Sequence, residues 1–201
     1  MKEIVIATKN KGKALEFKAF FADYGINALS LHDFSEEMPD VEETGTTFEE
    51  NAALKAEAIA KLLNKTVLAD DSGLIVDALD GRPGIYSARY SGEDANDTKN
   101  VQKVLHELEG TAYNNRTARF ISVLAIAGPG KETIFKEGYC EGRITLEPAG
   151  ENGFGYDPIF VPEGYEVTMA QLTATEKNQI SHRKHAIAKL DEWIQQEKLS
   201  L

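Results

Sequence analysis

Two short runs of strand-forming residues, each breaking off into polar and charged positions, set the terms on which this chain can fold. Ile4-Val5-Ile6-Ala7 and Thr66-Val67-Leu68-Ala69 are too short for helices, and neither alternates apolar with polar, so each reads as a buried strand. The first passes into Thr8-Lys9-Asn10-Lys11-Gly12-Lys13 and then into Phe17, Phe20, Phe21 and Tyr24 at helical spacing, with Gly25 as the stop. The second ends at Asp70-Asp71-Ser72-Gly73. Before it lies a helix that Thr47-Phe48-Glu49-Glu50 opens as a capping box, with Phe48, Ala52, Ile59 and Leu63 on or near one face. Leu29 and Leu31 alternate in a further short strand, and an acidic loop fills 32–45.

Beyond the second run, Gly81, Pro83, Gly84 and Gly92 predict a loop-rich segment. Val101, Val104, Leu105 and Leu108 predict a helix closed by Gly110. A long strand over 117–127 turns at Gly128-Pro129-Gly130 into a second arm over 132–139, an antiparallel hairpin. A short strand over 159–161 and a helix carrying Ile187, Leu190 and Ile194 complete the chain, with no repeat or linker. Parallel pieces threaded through helices, plus a hairpin, predict an α/β fold on a mixed sheet, a single domain over 1–201. A chain of 201 residues buries roughly 70% of its unfolded surface, enough to fold without staples.

Charge and cysteine usage narrow the function. A net charge of −11 argues against nucleic acid as a partner, though not against a small anion held by local positive charge. Cys140 is the only cysteine, which excludes an intramolecular disulfide and points to a reducing compartment. Residues 4–7 are too short for a signal-peptide core, and no apolar stretch approaches the ~20 residues of a membrane span. A cytoplasmic protein without a membrane partner is expected.

Four constellations could carry chemistry. At the first strand–loop–helix, a helix N-terminus with Thr8, Asn10 and Lys13 suits a phosphate, while Ala14 stands where a Walker loop needs Ser or Thr. Asp70 and Asp71 sit at a strand end, where α/β sheets gather ligands; extended residues alternate faces, so one carboxylate would serve a metal or water and the other the structure. A plain turn is the competing reading, since Asp-Ser-Gly are turn formers. Asp40, Glu42 and Glu43 offer oxygen ligands of the kind Mg²⁺ takes, and Lys55, sharing a helix face with Asn51, could reach a phosphate. Phe154-Gly155-Tyr156-Asp157-Pro158 with Glu176-Lys177-Asn178 and Ser181-His182-Arg183 could form a base pocket from a ring, close-approach glycines and cationic donors.

Together these motifs resemble the inosine triphosphate pyrophosphatase family, the XTP/dITP diphosphatases, in order and along nearly the whole chain. Ala69-Asp70-Asp71-Ser72-Gly73-Leu74 and Pro83-Gly84-Ile85-Tyr86-Ser87-Ala88-Arg89-Tyr90 belong to the same pattern. The resemblance implies a long mixed sheet flanked by helices, two lobes with a substrate cleft, and a homodimer. It implies that Thr8, Lys9, Asn10, Lys11, Gly12 and Lys13 bind the triphosphate, and that Asp71 is proton acceptor and Mg²⁺ ligand with Glu42 or Glu43 beside it. It places Ser72 on the substrate and the base among Phe154, Gly155, Tyr156, Asp157, Lys177, His182 and Arg183. Lys9 departs from the small residue that many members carry there. The implied reaction releases pyrophosphate from dITP, ITP or XTP. A Maf-type pyrophosphatase is the rival, although it lacks Ser-His-Arg at this position; a nucleotide sensor without turnover is the non-enzymatic alternative.

Overall fold

The computed structural model describes residues 2–34, 38–92 and 95–197. Among them six strands form one mixed sheet in the order β2-β1-β3-β4-β5-β6. The elements run β1 (Glu3–Ile6), α1 (Lys11–Ala22), β2 (Asn27–Ser30), α2 (Phe48–Leu63), β3 (Val67–Val76), α3 (Asp97–Glu107), β4 (Thr117–Ala127), β5 (Ile134–Ile144), β6 (Phe160–Pro162), α4 (Ala174–Ile180) and α5 (His182–Glu197). No described helix is long and apolar enough to cross a membrane. The part of the acidic loop over 35–37 lies outside the described residues.

The chain divides into two units. The first comprises Met1–Asp71, Val123–Lys136 and Lys189–Leu201, the second Ser72–Ser122 and Glu137–Ala188. In the first, β1 pairs in parallel with β2, Val5 opposite Leu29, and with β3, Val5 opposite Val67. A parallel strand between two others is covered on both faces, and Ile4, Val5 and Ile6 are accordingly all buried. Helix α1 buries Phe17 and Phe21, while Phe20 and Tyr24 meet edge to face on its flank. Gly25 takes a left-handed φ of 66° after the helix, which lets the Ile26 amide return to the Phe21 carbonyl at 3.1 Å.

The second unit is built on a core of Leu74, Val76, Val104, Leu108, Phe120, Ile144, Ile159 and Phe160 with their neighbours. There β5 pairs antiparallel with β6, Arg143 opposite Val161. The expected loop over 81–92 contains a 3-10 helix, Gly84–Arg89, anchored by Ser87, whose hydroxyl accepts from the Leu74 amide at 2.8 Å and donates to the Gly84 carbonyl at 2.6 Å.

Several expected strands differ in extent: the second hairpin arm, expected over 132–139, runs Ile134–Ile144, and the strand expected over 159–161 runs Phe160–Pro162. Leu31 leaves the strand for a 3-10 turn, Leu31–Asp33, because the Asp33 carboxylate accepts from both the amide (2.6 Å) and the hydroxyl (2.8 Å) of Ser30. More consequentially, β3 does not stop at Asp70. It continues through Asp70-Asp71-Ser72-Gly73 to Val76, so the turn reading is wrong and two carboxylates sit in the middle of a buried strand.

Within the second unit, β5 and α5 meet backbone to backbone at Gly138. A Cβ there would lie 2.1 Å from the His182 carbonyl oxygen and 2.2 Å from the Ala186 nitrogen, and neither backbone atom can step aside. Gly138→Ala is expected to cost about 1–3 kcal/mol and to lower the melting temperature by roughly 2–10 °C. A thermal denaturation scan checks it, an unchanged midpoint showing that α5 shifts freely.

Candidate active site

In the first unit the loop after β1 is shaped by its own side chains. The Asn10 amide donates to the Thr8 hydroxyl at 3.1 Å, and the Asn10 side chain caps α1 by accepting from the Lys13 amide at 3.0 Å. The free amides of this first turn and the half-buried Lys13 therefore face the same end of the helix, the arrangement that attracts an anion. Lys13 forms an ion pair with Asp70, whose side chain is only 1% exposed. Lys9 pairs instead with Asp40, and Lys11 and Gly12 are exposed.

Asp71 faces a different lysine, as strand alternation requires. Lys55 of α2 donates to Asp71 Oδ1 at 3.1 Å, to Glu43 Oε1 at 2.8 Å and to the Asp70 carbonyl at 3.0 Å. Asp71 Oδ2 is buried without a hydrogen-bond partner among the described residues. Burial pushes the Asp71 carboxyl above the usual carboxylate range; the Lys55 charge opposes this, and the Glu43 and Asp70 charges reinforce it. For Lys55, burial works to lower the pKa, but the carboxylates of Asp71 and Glu43 outweigh it and the net shift is upward. The ammonium stays charged.

Glu43, not Glu42, reaches this cluster; the Glu42 side chain is exposed. The Glu43 loop is seated on α2 by a clip in which the Gly45 amide donates to Asn51 Oδ1 at 2.8 Å. A Cβ on Gly45 would stand 2.6 Å from that same oxygen, so the close approach demands glycine. The capping box also shifts by one residue. Thr47 caps the Glu50 amide as expected, but the Glu50 carboxylate returns to the amide and hydroxyl of Thr46.

A divalent cation fits this donor set in one respect and not in another. Among the described residues no three His, Cys, Asp or Glu side chains close on one point as a ready metal cage. Mg²⁺ does not require one, since it binds through one or two carboxylates with water and substrate oxygens completing the shell. The partnerless Oδ2 of Asp71, with Glu43 close to the same lysine, is such a donor set.

In the second unit, Ser72 lies within β3, and the segment 153–157 is held at several points. Asp157 is buried, accepts from the Phe154 amide at 2.9 Å and forms an ion pair with Lys177. The Gly155 amide donates to Asp97 Oδ2 at 2.7 Å. Tyr156 donates its hydroxyl to the Ser87 carbonyl at 2.7 Å, and burial pushes the phenol pKa up, so this donor stays neutral and faces inward. Phe154 alone projects, 62% exposed, with the Lys177 ammonium 4.5 Å from its ring centroid. His182 and Arg183 open α5, both half-buried, His182 stacked on Phe120 at 5.1 Å.

Thr8, Asn10, Lys13, Glu43, Lys55 and Asp71 are thus positioned by one unit, and Phe154 to Asp157, Lys177, His182 and Arg183 by the other. Sequence reasoning missed Asp97 and the Gly45–Asn51 clip. A glycine just before a capped helix was the one available sign of the clip; nothing local marked Asp97.

An α/β sheet that sets a lysine-bearing helix N-terminus and a buried carboxylate in one unit is an arrangement suited to phosphate anions. The chain belongs to the Ham1 family, whose model matches residues 4–193. It is 63% identical over 194 residues to the dITP/XTP pyrophosphatase of Oceanobacillus iheyensis, covering 96% of this chain and 98% of that one. It is 54% identical over 197 residues to the Bacillus subtilis protein of the same name, covering 97% and 98%. The solved Staphylococcus aureus Ham1 protein superimposes with a TM-score of 0.91 at 50% identity, covering 98% of this chain and all of that one.

The Asp71 environment makes a stability prediction independent of catalysis. Its folded pKa lies above its unfolded one, so the fold is favoured below the ordinary carboxylate pKa and loses that contribution as pH rises through the folded value. Asp71→Asn, a neutral isostere, is expected to melt above the wild type in EDTA at about pH 8, with the gap closing near about pH 4. Paired thermal melts at the two pH values check it; a lower midpoint for the variant at the higher pH means that the Lys55 ion pair outweighs the burial cost.

Proposed function

We propose that this chain hydrolyses non-standard purine nucleoside triphosphates (dITP, ITP and XTP) to the monophosphate and pyrophosphate. The chain is a hydrolase of the pyrophosphatase class, a statement supported by its family and by relatives of 63% and 57% identity that carry that name. The observation that carries the finer reading is Asp71, buried beside Lys55 with one carboxylate oxygen lacking any hydrogen-bond partner among the described residues. Such an oxygen is an acceptor kept dry and aimed, as a general base or metal ligand must be.

Asp71 and Glu43 would hold Mg²⁺, which when bound supplies charge neutralisation at the phosphates. Asp71 accepts the proton of the attacking water. Lys13, the amides at the start of α1 and Lys55 bind and neutralise the departing pyrophosphate, exchanging protein carboxylates for phosphate oxygens. Asp70 holds Lys13 ready in the absence of substrate. Phe154 offers a face to the purine, and Lys177, His182 and Arg183 offer donors to a 6-keto oxygen, which inosine and xanthosine carry and adenine does not. The reading includes a cytoplasmic homodimer, for which the lone buried Cys140 supports only the reducing compartment.

Pyrophosphate, and no orthophosphate, is the expected first product from ITP, and EDTA in excess is expected to stop turnover. Asp71→Asn should lower kcat by roughly 10²–10⁴-fold. A coupled pyrophosphate assay on both proteins reads all three; orthophosphate released first, or wild-type turnover by the variant, removes the assignment.

Base choice supplies a separate check. A site built to hydrogen-bond a keto oxygen can reject an analogue that lacks it by up to about 10⁴–10⁵-fold. Arg183→Ala is expected to lower kcat/KM for ITP far more than for ATP, shrinking their ratio. An unchanged ratio with lower ITP activity would assign Arg183 to phosphate or to structure.

A further inference from the structure

We infer that Asp97 is a positioning residue that pins the Phe154 platform, an assignment that rests on the base-binding role proposed for that ring. Asp97 is the first residue of α3, and that helix does not need its carboxylate as a cap, because Asn96 already accepts from the Lys99 amide at 2.9 Å. Asp97 Oδ2 accepts instead from the Gly155 amide, 58 positions along the chain, at 2.7 Å.

Gly155 is where such a pin has the most leverage. It holds a left-handed φ of 61°, and an added Cβ would meet nothing within 4 Å, so packing does not restrain it. On its two sides the neighbours are fixed by other means: the Phe154 amide by Asp157 at 2.9 Å, and the Tyr156 hydroxyl by the Ser87 carbonyl at 2.7 Å. Without Asp97 the peptide between Phe154 and Gly155 would keep, among the described residues, only the long bond by which the Phe154 carbonyl accepts from the Asp157 amide at 3.3 Å, and it anchors the backbone from which a ring that is 62% exposed projects. A hydrogen bond to an ionised carboxylate is stronger than one to a neutral acceptor, which suits a bond exposed to competing water. Asp97 therefore fixes the backbone that presents the ring before any purine arrives, and its contribution falls on binding more than on the chemical step.

Two measurements on the intact chain separate this role from a structural one and from the proposed function itself. Amide hydrogen exchange of a peptide covering 150–158 is expected to quicken by roughly 10-fold in Asp97→Ala and to stay close to wild type in Asp97→Asn, which keeps the acceptor oxygen. Unchanged exchange in Asp97→Ala overturns the pin whatever the activity. In steady-state kinetics with ITP, Asp97→Ala is expected to raise KM by roughly 10-fold with kcat within about 2-fold, Asp97→Asn to recover most of the loss, and the effect to vanish in a Phe154→Ala background. Full additivity with Phe154→Ala, or a loss confined to kcat, overturns it. Absence of any wild-type turnover of ITP would sink the proposed function, while the exchange result would still decide the pin.

Discussion

Two adjacent carboxylates inside a buried strand are the constraint on which the first unit depends. Placing Asp70 and Asp71 in the middle of β3 removes both from bulk water, and an isolated buried carboxylate costs several kcal/mol or neutralises itself. The chain answers with two lysines from two helices, and strand alternation decides which lysine serves which acid. Lys13 must come from the first turn of α1 and Lys55 from the second turn of α2, so the placement of both helices is tied to the charge of one strand. The short β1, the capped polar loop and the Gly45 clip follow as the means of delivering those two ammoniums.

The answer is incomplete, and the deficit is informative. Three carboxylates, Glu43, Asp70 and Asp71, share two ammoniums, and Asp71 keeps a raised pKa despite Lys55. A structural ion-pair network would be expected to settle every oxygen; this one leaves Asp71 Oδ2 without a hydrogen-bond partner among the described residues. Buried polar groups left in this state are poor for stability and useful for function, the trade commonly met where activity needs a strained or under-satisfied site.

How much of this could be read before the structure follows from the range of the interactions. The strands β1 and β4 and the helices α1, α2, α3 and α5 were legible because both-face burial and helical periodicity are local patterns. The end of β3 was misread for an equally physical reason. Asp-Asp-Ser-Gly is turn chemistry, and only Lys13 and Lys55, 57 and 16 positions away, allow it to remain a strand. Glu43 could not be told from Glu42 because neighbouring residues in a loop have no periodicity to sort them; the partner, again, is the distant Lys55. Arg116 is the same case without a functional reading. It is buried and donates to the carbonyls of Leu108, Thr111 and Thr145, closing the end of α3, yet in the sequence it is one more arginine.

The electrostatics of the first unit also bear on how an acidic protein can bind a polyanion. With a net charge of −11, long-range attraction does not recruit a triphosphate. The nearest cations, Lys13 and Lys55, are already engaged by carboxylates, so a bare triphosphate would have to displace Asp70, Asp71 or Glu43 and leave them buried and charged. That exchange is unfavourable unless positive charge arrives with the substrate. On the proposed reading a nucleotide accompanied by its divalent cation would meet this requirement, because Asp71 and Glu43 would hold the cation while Lys13 and Lys55 engage the phosphates. On that reading the same carboxylates that make Asp71 costly in the metal-free fold would select against metal-free nucleotide, and the selectivity would need no residue beyond those that hold the strand together.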